Sequence, residues 1–511
     1  MIEESGATAV AGADGGSGDA IEALRGVLVD LATSNVRYCQ WKSNIRARES
    51  LRGETDLDVL IDRRDWARFS EIVGRHGLKP MNPPPGGDQP GMSHLLGFDL
   101  QSSELFHLHV HDQLVIGQRG VKNYWLPVEA EFLTSTRELD GLRAPAAHVE
   151  LAMLSVRALL KYRYRDAVKD LVGIKTPGIP LAISQEIDWL LEQTTASSVA
   201  GALPGVPPDL VEQFLERLGE DPRAGFLTMK RRLRRALREH ARLPPIQARM
   251  LAARELWVRR NRFRRNPFDA AMTMPTGGLS IAFVGADGAG KTTAATDVSS
   301  WLGWKLSVRR YYLGSKEPSR LSRGSYIGFR AFRRAHRSVG HPDGPVGRAL
   351  GAVRDALLGL HYVAIAGDRV RRYRDSLADV SDGRVVVFDR FPLVSASSEH
   401  HHRLLDGPQV RDKLGAPLGR PARMMARWEE RRYEAFHPPD LLIIMDVDPT
   451  VSIDRKPDHL PDVIAEKRRG AAELADAVEA RAEGVTVVRV DANQPLEQVR
   501  GQVRRAVWDA L

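Results

Sequence analysis

A glycine-rich turn that follows a strand-like apolar run constrains the fold of this chain more than any other feature. The run Leu279–Val284 leads into GADGAGKTT, which matches the pattern G-x-x-x-x-G-K-[ST] from Gly285 to Thr292. The segment that follows, AATDVSSWL, has a helical pattern. In such a strand–turn–helix, backbone N–H groups converge on phosphate oxygens at the helix N-terminus. The turn therefore predicts a nucleoside triphosphate site.

The motif also predicts a role for its polar side chains. Lys291 would reach the β- and γ-phosphates, and the hydroxyl of Thr292 would ligate Mg²⁺. A nucleoside triphosphate with Mg²⁺ is therefore the predicted ligand. The predicted cofactor-binding residues are Gly285, Asp287, Gly288, Ala289, Gly290, Lys291, Thr292 and Thr293.

Beyond this turn, strand-like apolar runs alternate with helical segments up to Leu511. The runs are LSIAFVGA, VRRYYLG, RVVVFDR, DLLIIMDVD and VTVVRVD. Nearly continuous apolar strands separated by helices are typical of βαβ units around a buried parallel sheet. The sequence predicts a three-layer α/β domain over residues 273–511.

This part of the chain, about 225 residues, resembles the thymidylate kinase family of nucleoside monophosphate kinases in five ordered segments. The loop is similar to that family's G-x-D-G-x-G-K-[ST]-T, including Asp287. The strand RVVVFDRF ends in Asp389-Arg390-Phe391, and AGDRVRR places Asp368-Arg369 at the family's helical acid–arginine pair. PDLLIIMDVDPTVSIDRK resembles the approach to the mobile lid, and VDANQPLEQVRGQVRRAV resembles the segment near the adenine.

The resemblance implies transfer of the γ-phosphate of ATP to a nucleoside monophosphate, dTMP or a relative. It implies catalytic roles for Lys291, Asp389, Arg390, Arg455 and Arg468, and substrate contacts for Arg369, Arg390 and Phe391. Phosphoryl transfer depends on cations that converge on the transferred group, and the fork of Arg390 suits a bidentate grip on phosphate. Asp389 would hold Mg²⁺ through water or orient the acceptor.

The lid is the predicted source of a further cation. Some members of the family carry an arginine in the loop where this chain has Gly288, and others supply the cation from the lid; this chain resembles the second kind. The lid candidate, residues 455–469, contains Arg455, Lys456, Lys467, Arg468 and Arg469. The sequence leaves open which of them closes over the γ-phosphate.

The acceptor side departs from the family. Its Arg-Glu-Pro-Gly-Gly-Thr loop is echoed only by Lys316-Glu317-Pro318, and Ile365 stands where the family has an aromatic residue, with Tyr362 one turn away. Two alternatives therefore stay open. One is a kinase of a non-nucleotide acceptor, and the other is a nucleotide-regulated binding or assembly protein with little turnover.

Two carboxylates near the N-terminus suggest a second site. In LRGETDLDVLID, Asp56 and Asp58 lie two residues apart on a strand, so they share one face and could share Mg²⁺. The segment resembles the nucleotidyltransferase superfamily over about 150 residues and predicts an α+β domain at 21–180. Where that superfamily has a third acid, the strand FHLHVH offers His107 and His109. A degenerate recognition domain is therefore favoured over an active transferase. His107, His109 and His111 alternate on one face, and metal binding is an alternative for them and for the histidines at 400–402. Because no spaced cysteine or carboxylate accompanies them, both groups are interpreted as edge-strand and loop residues.

The net charge of +9 comes from one segment. Lys230 to Arg265 holds fourteen basic residues against two acidic ones, a local charge of +12. We expect a basic helical connector at 181–272 that is solvated rather than bound to an anionic surface, although Trp257 and Phe263 lie beside its arginines. No specific nucleic-acid partner is predicted.

The remaining features concern the cellular setting. Residues 1–20 hold four acidic residues and no basic ones, which predicts a disordered tail rather than a secretion signal. Uninterrupted apolar runs are strand-sized, and the single cysteine, Cys39, is expected to be a buried thiol. These features predict a cytoplasmic protein, and the sequence is also compatible with a homodimer.

Overall fold

The computed structural model describes most of the chain. The described residues are 21–84, 87–118, 120–172, 178–221, 225–265, 270–314, 319–339, 341, 344–392, 407–415, 419–434, 436–455, 461–481 and 484–511. They form two compact units: the first comprises the chain up to Leu78 with Gln89–Ala248, and the second comprises Lys79–Asp88 with Arg249–Leu511. The predicted tail, 1–20, lies outside the described residues.

The N-terminal half of the chain is a mixture of short strands and helices. Its strands are β1 (Tyr38–Gln40), β2 (Leu57–Ile61), β3 (Lys79–Met81), β4 (Met92–Phe98), β5 (Leu105–His111), β6 (Leu114–Ile116), β7 (Tyr124–Leu126), β8 (Thr136–Leu139) and β9 (Leu142–Pro145). Its helices are α1 (Glu22–Thr33), α2 (Ala47–Leu51), α3 (Trp66–Arg75), α4 (Glu129–Thr134), α5 (Ala147–Lys161), α6 (Tyr164–Leu171), α7 (Leu181–Leu191), α8 (Pro208–Glu220), α9 (Leu227–Ala236) and α10 (Pro245–Arg265). Two elements of this half, β3 and the greater part of α10, belong to the second unit.

The main sheet of the first unit has two different faces. Its strands lie in the order β1-β2-β5-β4, with β2 and β5 parallel and the outer pairs antiparallel. One face is apolar: Leu57, Val59 and Phe106 join the buried side chains of α1 and α3 in one core. The alternate residues of β2 and β5, such as Asp58 and His109, point to the opposite face. This second face carries the polar groups of the unit.

A second core of the first unit forms around α5. Twelve of its fifteen residues are buried, and α7, α8 and α9 pack against it with Leu190, Phe214 and Leu233. Cys39 is a buried thiol of the same core, as predicted. The structure therefore assigns α7–α9 to the first unit rather than to the predicted connector, because their apolar faces complete this core. In α9, Met229 and Leu233 are buried while the arginines lie on the remaining faces.

The second unit is an α/β domain. Its elements are β10 (Leu279–Gly285), α11 (Lys291–Leu302), β11 (Val308–Tyr312), α12 (Arg320–Ser338), α13 (Pro345–Ser381), β12 (Val385–Asp389), α14 (Val410–Leu414), α15 (Arg420–Tyr433), β13 (Leu441–Asp446), α16 (Pro449–Arg455), α17 (Pro461–Arg481), β14 (Thr486–Asp491) and α18 (Leu496–Ala510). The sheet is parallel throughout, in the order β11-β12-β10-β13-β14. Its central strands are buried, which explains their continuous apolar runs. The predicted parallel α/β sheet is confirmed.

Within the described residues, one helix is long and apolar enough to cross a membrane by length and composition. This helix is α13, which has 37 residues. In its most apolar stretch, 28% of the helix is buried inside the protein. A search for uninterrupted apolar runs does not find α13, because Arg354 and Asp355 divide its apolar residues. The average hydropathy of the stretch is nevertheless high. Helix α13 also packs against α12 and α15.

Candidate functional site

The glycine-rich loop between β10 and α11 adopts a conformation that favours glycine. Gly288 and Gly290 have φ angles of +85° and +86°, in the left-handed region. A Cβ atom on Gly288 would lie 2.7 Å from Oγ and 2.9 Å from the carbonyl oxygen of Ser452 in α16. The hydroxyl of Ser452 donates a hydrogen bond to the carbonyl of Asp287. The loop is therefore fixed against the start of the lid region and has no room for a larger residue at Gly288.

The ammonium of Lys291 lies within the curve of the loop. Its Nζ donates to the carbonyl oxygens of Gly285, at 2.9 Å, and of Ala286, at 2.7 Å. Lys291 is also the first residue of α11, and the first N–H groups of a helix have no acceptor within the helix and carry a partial positive charge. This end of the loop is suited to bind phosphate oxygens.

A hydroxyl and a carboxylate meet beside the loop. Thr292 Oγ1 lies 3.2 Å from Oδ1 of Asp389, the last residue of β12. The side chain of Asp389 is buried, and its Oδ2 accepts a hydrogen bond from Arg310 of β11 at 2.9 Å. Hydroxyl and carboxylate oxygens are ligands that Mg²⁺ prefers. Thr292 and Asp389 could therefore hold Mg²⁺ next to the phosphates.

Asp287 of the loop interacts with two cationic side chains. Its carboxylate accepts a hydrogen bond from Lys467 of α17 and lies 3.7 Å from Nη2 of Arg390. Burial by itself would raise the pKa of Asp287, but the hydrogen bond and charge of Lys467 outweigh it and lower the pKa to about 2. The ionised carboxylate thus attracts two cationic side chains to the place where phosphate charge would lie.

Arg390 has a backbone conformation that is uncommon for its residue type. Its φ angle is +71°, in the left-handed region, directly after the end of β12. A non-glycine residue in this region costs about 1–2 kcal/mol, and such residues often occur at functional sites. This strained turn lies at the carboxyl end of a parallel strand, where α/β proteins bind their ligands.

The loop residues and Arg390 line one cleft of about 480 Å³. Asp389 and Lys467 do not line it, but they contact the lining residues Thr292 and Asp287. The loop residues, Arg390 and Arg455 form its charged part. Its apolar part comes from α18, where Leu496, Val499 and Val503 follow each other at helical spacing. Such a cleft has a place for charged phosphates and a separate place for an apolar group such as a base.

The lid residues divide between this cleft and its surroundings. Arg455 lines the cleft, and its guanidinium donates to the carbonyl oxygens of Gly288 at 3.4 Å and Ala492 at 3.2 Å. Arg468, in contrast, is held by Asp446 at the end of β13, with Nη2 2.9 Å from Oδ2, and does not line the cleft. The structure therefore does not bring Arg468 to the predicted catalytic position. Lys456 lies outside the described residues.

Two predicted substrate contacts are in the protein core. The side chain of Phe391 is buried in an aromatic cluster with Phe388, Tyr373 and Phe436. Arg369 is also buried and donates to the hydroxyl of Tyr433. Neither lines the cleft, because packing between α13, β12 and α15 holds both. Lys316-Glu317-Pro318 and the histidines at 400–402 lie outside the described residues.

The structure adds residues that the sequence did not single out. Arg310 reaches Asp389 because β11 and β12 pair in parallel, with Tyr312 beside Asp389. Asp297 of α11 and Arg500 of α18 both line the cleft and form an ion pair, with Nε of Arg500 3.0 Å from Oδ1 of Asp297. A basic residue near the end of a strand was a weak signal for Arg310, whereas the pair on α11 and α18 depends on tertiary packing alone.

In the first unit, Asp56 and Asp58 lie on the same face of the sheet, as the alternation predicts. Burial would raise the pKa of Asp58, but Lys42 at 2.8 Å, a hydrogen bond from His109 and the ring of His111 at 3.5 Å hold this pKa well below its usual value. Asp56 Oδ1 lies 2.9 Å from Nδ1 of His107. Both carboxylates therefore already have partners in the protein.

No family model matches the chain. Two similar curated proteins come from Escherichia coli K12. The "Uncharacterized ATP-binding protein YghR" is 27% identical over 238 residues, which cover 44% of this chain and 86% of that protein. The "Uncharacterized ATP-binding protein YghS" is 25% identical over 240 residues, which cover 45% of this chain and 93% of that protein. The similarity thus includes most of each relative and less than half of this chain, and it makes membership of an ATP-binding family plausible.

Proposed function

We propose that the second unit binds ATP with Mg²⁺ in this cleft and transfers the γ-phosphate to a phosphate-bearing acceptor. The reaction is that of a nucleoside monophosphate kinase or a related phosphotransferase. The observation that carries the proposal is that Lys291, Thr292 and Arg390 line one cleft, with Asp389 in contact with Thr292. The names of the two relatives independently support ATP as the ligand.

The shape of the cleft suggests how ATP would bind. The triphosphate would lie on the loop, where Lys291 and the N-terminus of α11 offer donors and positive charge. The base would pack against Leu496 and Val499 of α18, which line the same cleft. Bound Mg²⁺ would neutralise phosphate charge, with Thr292 and Asp389 as its protein contacts. The nucleotide would then span the cleft from its charged part to its apolar part.

Catalysis would depend on cations that are already in place. Asp287 holds Lys467 and Arg390 beside the loop before substrate arrives, so little reorganisation is needed when phosphates bind. Arg390 would hold the acceptor phosphate with its planar fork. Gly288 packs against Ser452 and leaves no space for a loop arginine. The proposed lid cations are therefore Arg455, which lines the cleft, and Lys467, which donates to Asp287 of the loop.

A second candidate is a kinase whose acceptor is not a nucleotide. The specific observation in its favour is the burial of Arg369 and Phe391, which the resemblance placed at the acceptor nucleotide. With those two side chains in the core, Arg390 is the residue of the predicted acceptor set that lines the cleft. The guanidinium of Arg390 would bind a phosphate group whether or not a nucleoside is attached to that phosphate.

An acceptor screen tests the proposal. The full chain is incubated with radiolabelled [γ-³²P]ATP and Mg²⁺ against nucleoside monophosphates and sugar phosphates. Lys291→Ala is the inactive variant, and Lys413→Ala, an exposed lysine on α14 outside the cleft, is its matched control. We expect transfer by the wild type and Lys413→Ala that is lost in Lys291→Ala.

The acceptor that is labelled separates the candidates. Label on a nucleoside monophosphate supports the first one, and label on a sugar phosphate alone supports the second. ATP binding that depends on Lys291 without transfer to any acceptor would contradict phosphotransfer and favour a nucleotide-regulated binding protein.

A further inference from the structure

Three histidines from two strands lie close together on the polar face of the first unit's sheet. The antiparallel register of β4 and β5 pairs His94 with His109, and the parallel register of β2 and β5 pairs His109 with Asp58. Paired residues point to the same face of a sheet, and so does His107, two residues before His109. The strand register therefore makes these three imidazoles neighbours on one face of the sheet.

The distances between their ring nitrogens suit a shared ion. One nitrogen from each of His94, His107 and His109 lies within 4.8 Å of the others. Nδ1 of His94 is 3.2 Å from Nε2 of His107. With Zn–N bonds of 2.0–2.1 Å, the ligand nitrogens of a tetrahedral zinc site are about 3.3 Å apart. Separations of up to 4.8 Å would have to shorten toward this value for the three imidazoles to share one metal ion.

The two carboxylates are placed to orient two of the imidazoles. Asp56 Oδ1 lies 2.9 Å from Nδ1 of His107, and Asp58 Oδ1 lies 3.2 Å from Nδ1 of His109. An ionised carboxylate only accepts hydrogen bonds, so each Nδ1 carries the proton and each Nε2 keeps its lone pair. Metal-binding histidines commonly donate their second ring nitrogen to a carboxylate in this way.

The remaining histidine has unmet bonding capacity. His94 is 8% exposed, and its Nε2 is buried without a hydrogen-bond partner among the residues that the structure describes. A buried polar atom without a partner costs about 1–3 kcal/mol. The contact with His107 uses Nδ1 of His94, so Nε2 is the nitrogen that a bound metal ion would satisfy.

The donor set does not fit the magnesium site predicted for Asp56 and Asp58. Mg²⁺ requires oxygen ligands, yet the residue opposite Asp58 on β5 is His109 instead of a third acid. In addition, Asp58 is paired with Lys42 at 2.8 Å. Imidazole nitrogens favour Zn²⁺ and neighbouring transition metals over Mg²⁺.

We propose that His94, His107 and His109 bind one transition-metal ion of the Zn²⁺ class, with Asp56 and Asp58 as positioning residues. Three imidazoles leave a further ligand position open to water or to an anionic group of a substrate. The site lies within the first unit and is independent of the function proposed for the second.

Cobalt is a suitable probe because bound Co²⁺ absorbs visible light. Tag-free full-length protein is stripped of metal and titrated with Co²⁺, then with Zn²⁺ as competitor. We expect one Co²⁺ per chain, displaced by Zn²⁺ and unaffected by millimolar Mg²⁺. The absorption should be lost in His94→Gln and in His107→Gln. His148→Gln, a histidine on α5 outside the cluster, is the matched control and should bind like the wild type.

The positioning role has its own test. Asp56→Asn should keep the shape of the Co²⁺ spectrum and weaken the affinity by about 10- to 100-fold. Because variants at buried histidines can fail to fold, the wild type is also followed by hydrogen exchange. Zn²⁺ should slow exchange in β4 and β5 and leave β10 unchanged. Absence of stoichiometric metal binding, unchanged binding by His94→Gln, or displacement of Co²⁺ by Mg²⁺ would each overturn the proposal.

Discussion

Two glycines of the loop differ in one respect that can be measured. Gly288 and Gly290 have nearly the same φ angle, +85° and +86°. A Cβ atom on Gly290 meets nothing within 4 Å, whereas on Gly288 it would lie 2.7 Å from Oγ of Ser452. Alanine at Gly290 should therefore cost only the left-handed conformation, about 1–2 kcal/mol. Alanine at Gly288 should add an overpacking cost of about 1–3 kcal/mol, so its total is about 2–5 kcal/mol.

Native-state hydrogen exchange of the peptides from β10 and α11 measures these costs, because it reports local opening of the loop without a need for global unfolding. Gly290→Ala should increase opening by about 5- to 30-fold, and Gly288→Ala by a larger factor. The comparison is made without nucleotide, so that contacts with phosphate do not contribute. If the two variants open equally, the loop does not pack against Ser452 and the reason given for a small residue at Gly288 is wrong.

Other predictions concern pH and packing. The lowered pKa of Asp287, about 2, means that its ion pair with Lys467 stabilises the second unit above pH 3.8 and is lost as the pH falls toward 2; Asp287→Asn should remove this dependence in thermal unfolding. Burial raises the pKa of Glu150 to about 7, so the first unit should lose stability as the pH rises from 4.5 to 7, and urea unfolding of Glu150→Gln should lack that loss. Phe214→Ala should destabilise the first unit by about 3–5 kcal/mol in the same assay. Leu181→Ala, at a side chain that is 66% exposed, should stay within about 0.5 kcal/mol.

The parallel sheet was predictable because burial on both faces leaves a direct mark in the sequence. Residues 281–284, 385–388 and 441–445 of the three central strands are continuously apolar and buried. The role of α7–α9 was harder to predict, since an amphipathic helix does not show which core it covers. Their arginines suggested a solvated connector, while Phe214 and Leu233 decide their place in the first unit.

The site was predictable where its chemistry depends on neighbouring residues in the chain. Gly288, Lys291 and Thr292 form the loop by local geometry, and their positions follow from the motif. The placement of Arg468 outside the cleft was not predictable, because Arg468 lies on α17 and its partner Asp446 ends β13. The histidine cluster was missed for a related reason: His94 is far from His109 in sequence, and only the register of β4 and β5 pairs them.

The central claim is that Lys291 and the loop hold the phosphates of ATP. Isothermal titration calorimetry of the full chain with Mg²⁺ and ATP tests it most directly, with the wild type, Lys291→Ala and the control Lys413→Ala compared at one salt concentration. We predict one ATP per chain for the wild type and Lys413→Ala, and a loss of at least about tenfold in affinity for Lys291→Ala, since a charged hydrogen bond contributes about 1.5–3 kcal/mol. Equal ATP affinity in all three proteins would contradict the account.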